Sequence, residues 1–402
     1  IKKILSTGIS DQVLLYAKLK QESILKKTTD GKKKPNLKGI PKLEDAGWAG
    51  TKNSSQCKLI LTEGDSAKAF AMAGRAVVGN EKYGIFPLKG KLLNVRTATA
   101  KQLLENEEIK NVKLILGLQQ GKKYKTISEL RYGGIILLTD QDVDGYHIKG
   151  LFMNFLHYFW PSIVKLNDFI FSLATPIVKA IKGKKVISFY NESDYETWRD
   201  KSNRVGWHSK YFKGLGTSTS KEAKEYFDDL ENKLIRYTWE STNEPIKEDD
   251  SDIENVNDEI DNEINNEIDN EELIVEKLVE KPVKSRKSSK KRKSSKKNAF
   301  DATIDIDSDD ETTDTIRLAF EKDRSNDRKT WLLKYDRSKI LDNNNKTVPI
   351  PDFIHKELIH YSNDDLNRSI PSISDGLKPS TRKILYVCFK KKLFTATKEL
   401  KV

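Results

Sequence analysis

A chain of 402 residues is long enough for roughly two or three domains, and its formal net charge of +12 suits a polyanionic partner such as nucleic acid. Two cysteines far apart, Cys57 and Cys388, exclude a disulfide framework and a Cys/His zinc site and fit a reducing compartment. No apolar run approaches membrane-spanning length and no signal peptide opens the sequence, which starts at Ile1 in mid-pattern and is expected to be a piece of a longer chain.

Residues 1–38 mix helical signals with a basic stretch from Lys26 to Lys34; a domain tail and a solvated linker both fit. Gly39-Ile40-Pro41-Lys42-Leu43 punctuates the entry to the next domain. From Cys57 to about Ile181 apolar strands alternate with helical stretches, the α/β pattern. Lys58 to Thr62 reads as a short strand ending in Glu63-Gly64, and the alanine-rich helix that follows can be capped by Asp65 or Ser66. Ile85 to Leu88 leads into Lys89-Gly90-Lys91 and on to Asn94 and Arg96. Cations beside a glycine can meet phosphate without obstruction, although the same residues also fit an ordinary charged surface.

Gly133 to Leu138 predicts a buried strand, and Asp140, Asp142 and Asp144 follow at every second position. In an extended chain these three carboxylates point to one side and repel one another. A hard divalent cation with oxygen ligands relieves that conflict, and Mg²⁺ suits few carboxylates and several waters; a solvated acidic loop is the other reading. Ligands of open α/β sheets collect beyond the carboxyl ends of strands, so Glu63 and the aspartates belong on one rim. His147 is expected to pack or hydrogen-bond, since a carboxylate site favours a harder ion than imidazole does. Leu151 to Trp160 predicts a buried helix ending at Pro161, and Phe169 to Val178 a strand-like run through Pro176. Tyr211 to Ser220 is a glycine-broken turn before a helix from Lys221 to Asn232; its hydroxyls and amides can cap that helix or hold a phosphate.

Pro245 to about Thr315 differs in kind. Fifteen acidic residues stand against one lysine between Glu248 and Glu280, and nine Lys/Arg with no acid fill Lys284 to Lys297. Such blocks bury too little apolar surface to offset ordering entropy and are expected to be disordered. Ile253, Val256, Ile260, Ile264 and Ile268 leave room for a transient amphipathic helix, and the basic run fits a nuclear-localisation or nucleic-acid patch or an insertion without a role. Beyond it, Arg368-Ser-Ile-Pro371 and Asp375-Gly-Leu-Lys-Pro379 precede a helix carrying Arg382 and Lys383.

Glu63-Gly64 with Asp140-x-Asp142-x-Asp144-Gly145 resembles the Toprim domain of topoisomerases, primases and some nucleases. EGDSAKAFA (63–71), FPLKGKLLNVR (86–96), LRYGGIILLTDQDVDGYHIKG (130–150), YFKGLGTSTSKEAKEYF (211–227) and RSIPSISDGLKPSTRKILYVCF (368–389) together resemble the eukaryotic type IIA DNA topoisomerases, in family order. The resemblance implies an α/β fold: a Rossmann-like Toprim domain with a mostly parallel sheet, a mixed extension, a disordered insert and the start of a winged-helix domain. The corresponding division is 1–50 (transducer tail and linker), 51–181 (Toprim), 182–245 (Toprim extension), 246–315 (insert), 316–345 (connector) and 346–402 (winged-helix start).

The resemblance further implies ATP-dependent double-strand DNA cleavage, passage of a second duplex and religation by a nuclear homodimer. Glu63, Asp140 and Asp142 would be catalytic and hold Mg²⁺, with Asp144 as a further ligand or neighbour. Lys89, Lys91, Asn94, Lys213, Arg368, Lys378 and Arg382 would meet DNA. The family usually has arginine at position 89; lysine lacks the planar fork, so contact there should be less fixed. The nucleophilic tyrosine of the family and its ATP site match nothing between Ile1 and Val402, so this piece alone is expected neither to cleave DNA nor to use ATP. A Toprim nuclease or primase shares the carboxylates but not the RSIP and YFKGLGTSTS blocks, and a non-catalytic DNA-binding module leaves the carboxylates unexplained.

Overall fold

The structure, a computed structural model, describes residues 39–190, 192–201, 204–212, 214–215, 218–239, 310–341 and 345–393, with positions 20, 23, 24, 26, 30, 31 and 37. The acidic and basic blocks between 246 and 309, and Lys213, lie outside the described residues.

The first half of the fold runs β1 (Lys58–Thr62), α1 (Asp65–Val78), β2 (Tyr83–Pro87), α2 (Ala100–Glu105), α3 (Glu107–Leu116), β3 (Gly134–Leu138), α4 (Val143–Phe159), α5 (Pro161–Val164) and β4 (Ile170–Leu173). A small unit follows: β5 (Val178–Lys182), β6 (Lys185–Phe189), α6 (Glu192–Lys201) and β7 (His208–Tyr211). Then come α7 (Ser220–Asp228), α8 (Leu230–Lys233) and β8 (Leu234–Thr238). The last part holds α9 (Glu311–Phe320), α10 (Ser325–Leu333), β9 (Thr347–Pro349), α11 (Ile350–Phe353), a π turn (Ile354–Leu358), α12 (Ile359–Ser369) and α13 (Pro379–Lys390).

Six strands form one sheet in the order β2-β1-β3-β4-β8-β9, parallel throughout except where β4 meets β8. β1 and β3 are Leu/Ile-rich because parallel central strands are covered on both faces, and every residue of β3 is buried. Ile60, Ile85, Ile136 and Leu138 pack on one face against Phe70 and Ala71 of α1 and Phe227 of α7. β6-β5-β7 make a separate antiparallel sheet whose Val178, Ala180 and Phe189 pack against Tyr195 and Trp198 of α6. Among the described residues no helix is long and apolar enough to cross a membrane.

Three boundaries away from the acidic rim differ from the sequence expectation. The run from Phe169 to Val178 is two strands in different sheets, because the chain leaves the large sheet at Leu173 and passes Pro176, which has no N–H for a ladder, before entering β5. The helix after the glycine-broken turn stops at Asp228 and restarts at Leu230. Helix α9 starts at Glu311, inside the stretch expected to be disordered: Asp310 accepts the Thr312 N–H as its cap, and the Thr312 and Thr313 side chains are buried. Thr312 Oγ1 donates to the Trp239 carbonyl and Thr313 Oγ1 sits 3.2 Å from His157 Nε2.

Candidate functional site

Register brings the first two acids together. Thr62 of β1 pairs with Leu138 of β3, so both strands stop at one height and release Glu63 and Asp140 side by side. The Asp140 N–H donates to Glu63 Oε2 at 3.3 Å, and Asp140 Oδ1 accepts the Leu215 N–H at 2.7 Å. Gly64 makes the turn out of β1 with φ +118°, a region that suits glycine, and itself occupies the cap position of α1. Asp65 is therefore the first helical residue and does not cap; its carboxylate pairs with Lys42 at 2.5 Å.

The extended run of aspartates ends early. Asp142 is the N-cap of α4, its Oδ1 accepting the Gly145 N–H at 2.8 Å, so Asp144 stands in the first helical turn instead of alternating onward along a strand. Helix α4 thus begins well before Leu151. A Cβ at Gly145 would fall 2.0 Å from the Asp140 carbonyl oxygen, so the acidic loop folds against α4 only because position 145 lacks a side chain.

Electrostatics separates the carboxylates. Burial pushes Glu63 up to about 7, opposed by the Asp140 N–H and reinforced by the charges of Asp140, Asp142 and Asp144. Asp140 is raised by burial and by Asp142, against the Leu215 N–H. Asp144 goes the other way: against the effect of its own partial burial, Arg368 and Lys91 hold it below the usual carboxylate range. Lys91 Nζ lies 2.6 Å from Asp144 Oδ1, and Arg368 reaches both Asp144 oxygens at 3.2 Å. Arg368 Nε also pairs with Asp364 at 2.8 Å. Both cations lie over the Tyr361 ring, at 4.7 and 5.9 Å, and the other partner of that ring is His147, stacked at 3.8 Å.

Among the described residues no three His, Cys, Asp or Glu side chains stand close enough together to hold a metal ion as they are. The donor chemistry still fits a hard cation. Glu63 and Asp140 are oxygen donors raised first by burial and then by neighbouring aspartates, Asp140, Asp142 and Asp144 for Glu63 and Asp142 for Asp140, and added positive charge reverses that penalty.

A Toprim domain model matches residues 58–169, and a model described as the C-terminal associated domain of TOPRIM matches 173–267 and 284–366. The DNA topoisomerase 2 of Acanthamoeba polyphaga mimivirus is 44% identical over 414 residues, covering 100% of this chain and 30% of that protein. The DNA topoisomerase 2 of Plasmodium falciparum (isolate K1 / Thailand) is 41% identical over 397 residues, covering 98% and 24%. The crystal structure of the Plasmodium falciparum topoisomerase II DNA-binding, cleavage and re-ligation domain superposes with a TM-score of 0.68 at 41% identity, covering 90% of this chain and 40% of that one. The chain belongs to the DNA topoisomerase 2 family. It spans less than a third of the length of these curated topoisomerase 2 relatives.

Within this topoisomerase 2 frame the other candidate residues fall into two groups. Lys89 is exposed, its Nζ 3.3 Å from Glu107 and its N–H on Glu108. Lys378, at the cap of α13, and Arg382, paired with Asp375, are exposed as well. Asn94 is committed inward: Nδ2 donates to the Phe320 carbonyl at 2.9 Å, while Oδ1 accepts from the Arg96 N–H and from Asn154. Arg96 is tied to Asn154 at 2.7 Å and to His157 Nδ1 at 2.7 Å, so it anchors the Lys89–Asn94 loop to α4. Tyr361 and Gln141 were missed by sequence reasoning. Tyr361 lies in a helix without a motif, and only its spacing of seven from Arg368 links the two on one helix face.

Proposed function

We propose that this chain supplies the metal-binding half of the DNA-cleavage site of a type II topoisomerase, acting in the whole protein as an ATP-dependent nuclear homodimer on double-stranded DNA. The carrying observation is the rim itself: Glu63 and Asp140 at the ends of adjacent parallel strands, with Asp142 capping the next helix and two cations gathered at Asp144. The division at 51–181, 182–245, 246–315, 316–345 and 346–402, after a leading segment 1–50, belongs to the same proposal.

Glu63, Asp140 and Asp142 would hold Mg²⁺, Asp142 through the oxygen left over from capping, and Asp144 lies one helical step further on. When bound, the ion supplies stabilisation of charge on the scissile phosphate and the leaving 3′ oxygen. Without the ion, burial pushes Glu63 up to about 7; the bound cation would hold it ionised, ready to take a proton from the 3′ hydroxyl in religation. Lys91 and Arg368 balance phosphate charge beside the rim; the exposed Lys89, Lys378 and Arg382 extend the DNA contact, and Lys213, outside the described residues, is proposed to join them. The attacking tyrosine and the ATP site come from elsewhere in the whole protein. The Lys284–Lys297 run supports nuclear import, which localisation of the tagged whole protein tests.

The test is Asp142→Asn in the whole enzyme. Asparagine caps a helix as well as aspartate does, so the fold is kept while a charged ligand is lost. Plasmid cleavage with Mg²⁺ should fall by at least about a hundredfold, with DNA binding within about twofold of the parent. Cleavage at the parental rate removes Asp142 from the chemistry; cleavage without a protein-linked DNA end replaces the topoisomerase reading with a Toprim nuclease.

A further inference from the structure

Beneath the acidic rim lies a buried ion pair that the cleavage chemistry does not use. Lys149 of α4 is 2% exposed and Glu357 of the π turn 7% exposed. Lys149 Nζ stands 3.7 Å from Glu357 Oε2, an oxygen with no hydrogen-bond partner among the described residues. The same ammonium donates to Gln141 Oε1 at 3.3 Å and lies 5.1 Å from the centre of the Tyr146 ring. Gln141 is the residue between Asp140 and Asp142.

A buried pair of this kind is a poor source of stability. Desolvating both charges costs about as much as their attraction returns, and apolar replacements of similar volume are often neutral or better. Its placement says more. The π turn breaks the regular helical phase between α11 and α12, a distortion that recurs at functional sites, and it puts Glu357 against Lys149. Eleven residues further along the same helical run, about 16 Å at 1.5 Å per residue, Arg368 reaches Asp144. One rod therefore touches the acidic loop twice: at depth through Glu357, Lys149 and Gln141, and at the surface through Arg368.

We propose that Lys149, held by Glu357, is a positioning residue for the acidic loop, fixing Gln141 and with it the directions of Asp140 and Asp142. This rests on the reading of Asp140 and Asp142 as cation ligands. Fixing the loop from below narrows the spread of the two carboxylates before a cation arrives, so its effect belongs to cation affinity and much less to the chemical step.

The experiment uses the whole enzyme with Gln141→Ala, the double variant Lys149→Met with Glu357→Leu, all three together, and Asp142→Asn as the control. Removing both charges leaves the net charge near the rim unchanged. Mn²⁺ binding is measured by electron paramagnetic resonance without DNA, alongside the Mg²⁺ concentration for half-maximal plasmid cleavage and the thermal midpoint. The Gln141 variant and the double variant should each weaken Mn²⁺ binding by about tenfold and shift Mg²⁺ half-saturation equally, with maximal cleavage near parental. The triple variant should be no weaker than either, because all three changes act through one contact. Parental Mn²⁺ binding in folded Gln141→Ala, or losses that multiply in the triple variant, overturns the proposal. Should the double variant fail to fold, Gln141→Ala decides alone. Parental binding in Asp142→Asn refutes the metal reading instead, which keeps the two failures apart.

Discussion

Glu63 is the residue on which the site's electrostatic cost is clearest. Its carboxyl is pushed to about 7, first by burial and then by three neighbouring aspartates. A folded-state value above the unfolded one means that the native chain binds the proton more tightly, so stability is highest below the unfolded value near 4.5 and is lost as pH rises through 7. Glu63→Gln removes that dependence. In EDTA the variant should melt about 1–3 °C above the parent at pH 8, a modest gain because the group is part-solvated, and within error of it at pH 4.5. A thermal midpoint lower than the parent's at pH 8 would mean that ionised Glu63 stabilises the fold. Asp144, distant in sequence but one of the three aspartates that act on Glu63, shows the opposite environment: Arg368 and Lys91 hold it ionised.

At the scale of elements, the strand-to-helix turns decide where the acids point. The strands were legible: Lys58–Thr62 and Gly134–Leu138 are short Ile/Leu runs closed by Glu63-Gly64 and by the aspartates, and parallel central strands need that composition. What periodicity misses is the moment when one repeat gives way to another. The two-residue spacing of Asp140, Asp142 and Asp144 looks like a strand continuing, yet Asp142 caps a helix and the period changes to 3.6 inside the motif. Asp65 was misread for a related reason, because Gly64 at positive φ takes the cap one residue earlier. Asn94 looked like a phosphate contact and is an internal brace, since a partner as distant in sequence as Phe320 leaves no local signal. Gly145 tests this level. Gly145→Ala forces a methyl group into the Asp140 carbonyl, and denaturant unfolding should show a loss of about 1–3 kcal/mol. Parental stability would mean that the loop can move aside freely.

Across the whole molecule, the sheet and the helical region after 350 meet at Asp144, which is shared by Lys91 from the loop after β2 and Arg368 from the end of α12. The motif blocks made both cations visible in the sequence, but nothing there said that they would share a carboxylate. That sharing has a thermodynamic consequence for binding a polyelectrolyte. A cation that turns from solvent to a phosphate releases a condensed counterion from the duplex, and affinity then falls steeply with salt. Lys91 and Arg368 start from an anion, and if phosphate takes them, as proposed, Asp144 would be left bare and would draw an ion back from solution. On the proposed DNA contacts, net ion release would be smaller than the number of contacts, and duplex binding would be correspondingly less sensitive to ionic strength. Asp144→Asn cancels the re-uptake. A titration of duplex binding against salt should steepen by about one in the logarithmic slope. An unchanged slope would mean that the two cations never leave Asp144; with the re-uptake in place, a topoisomerase of the proposed kind would keep its grip on DNA across the ionic swings of its compartment.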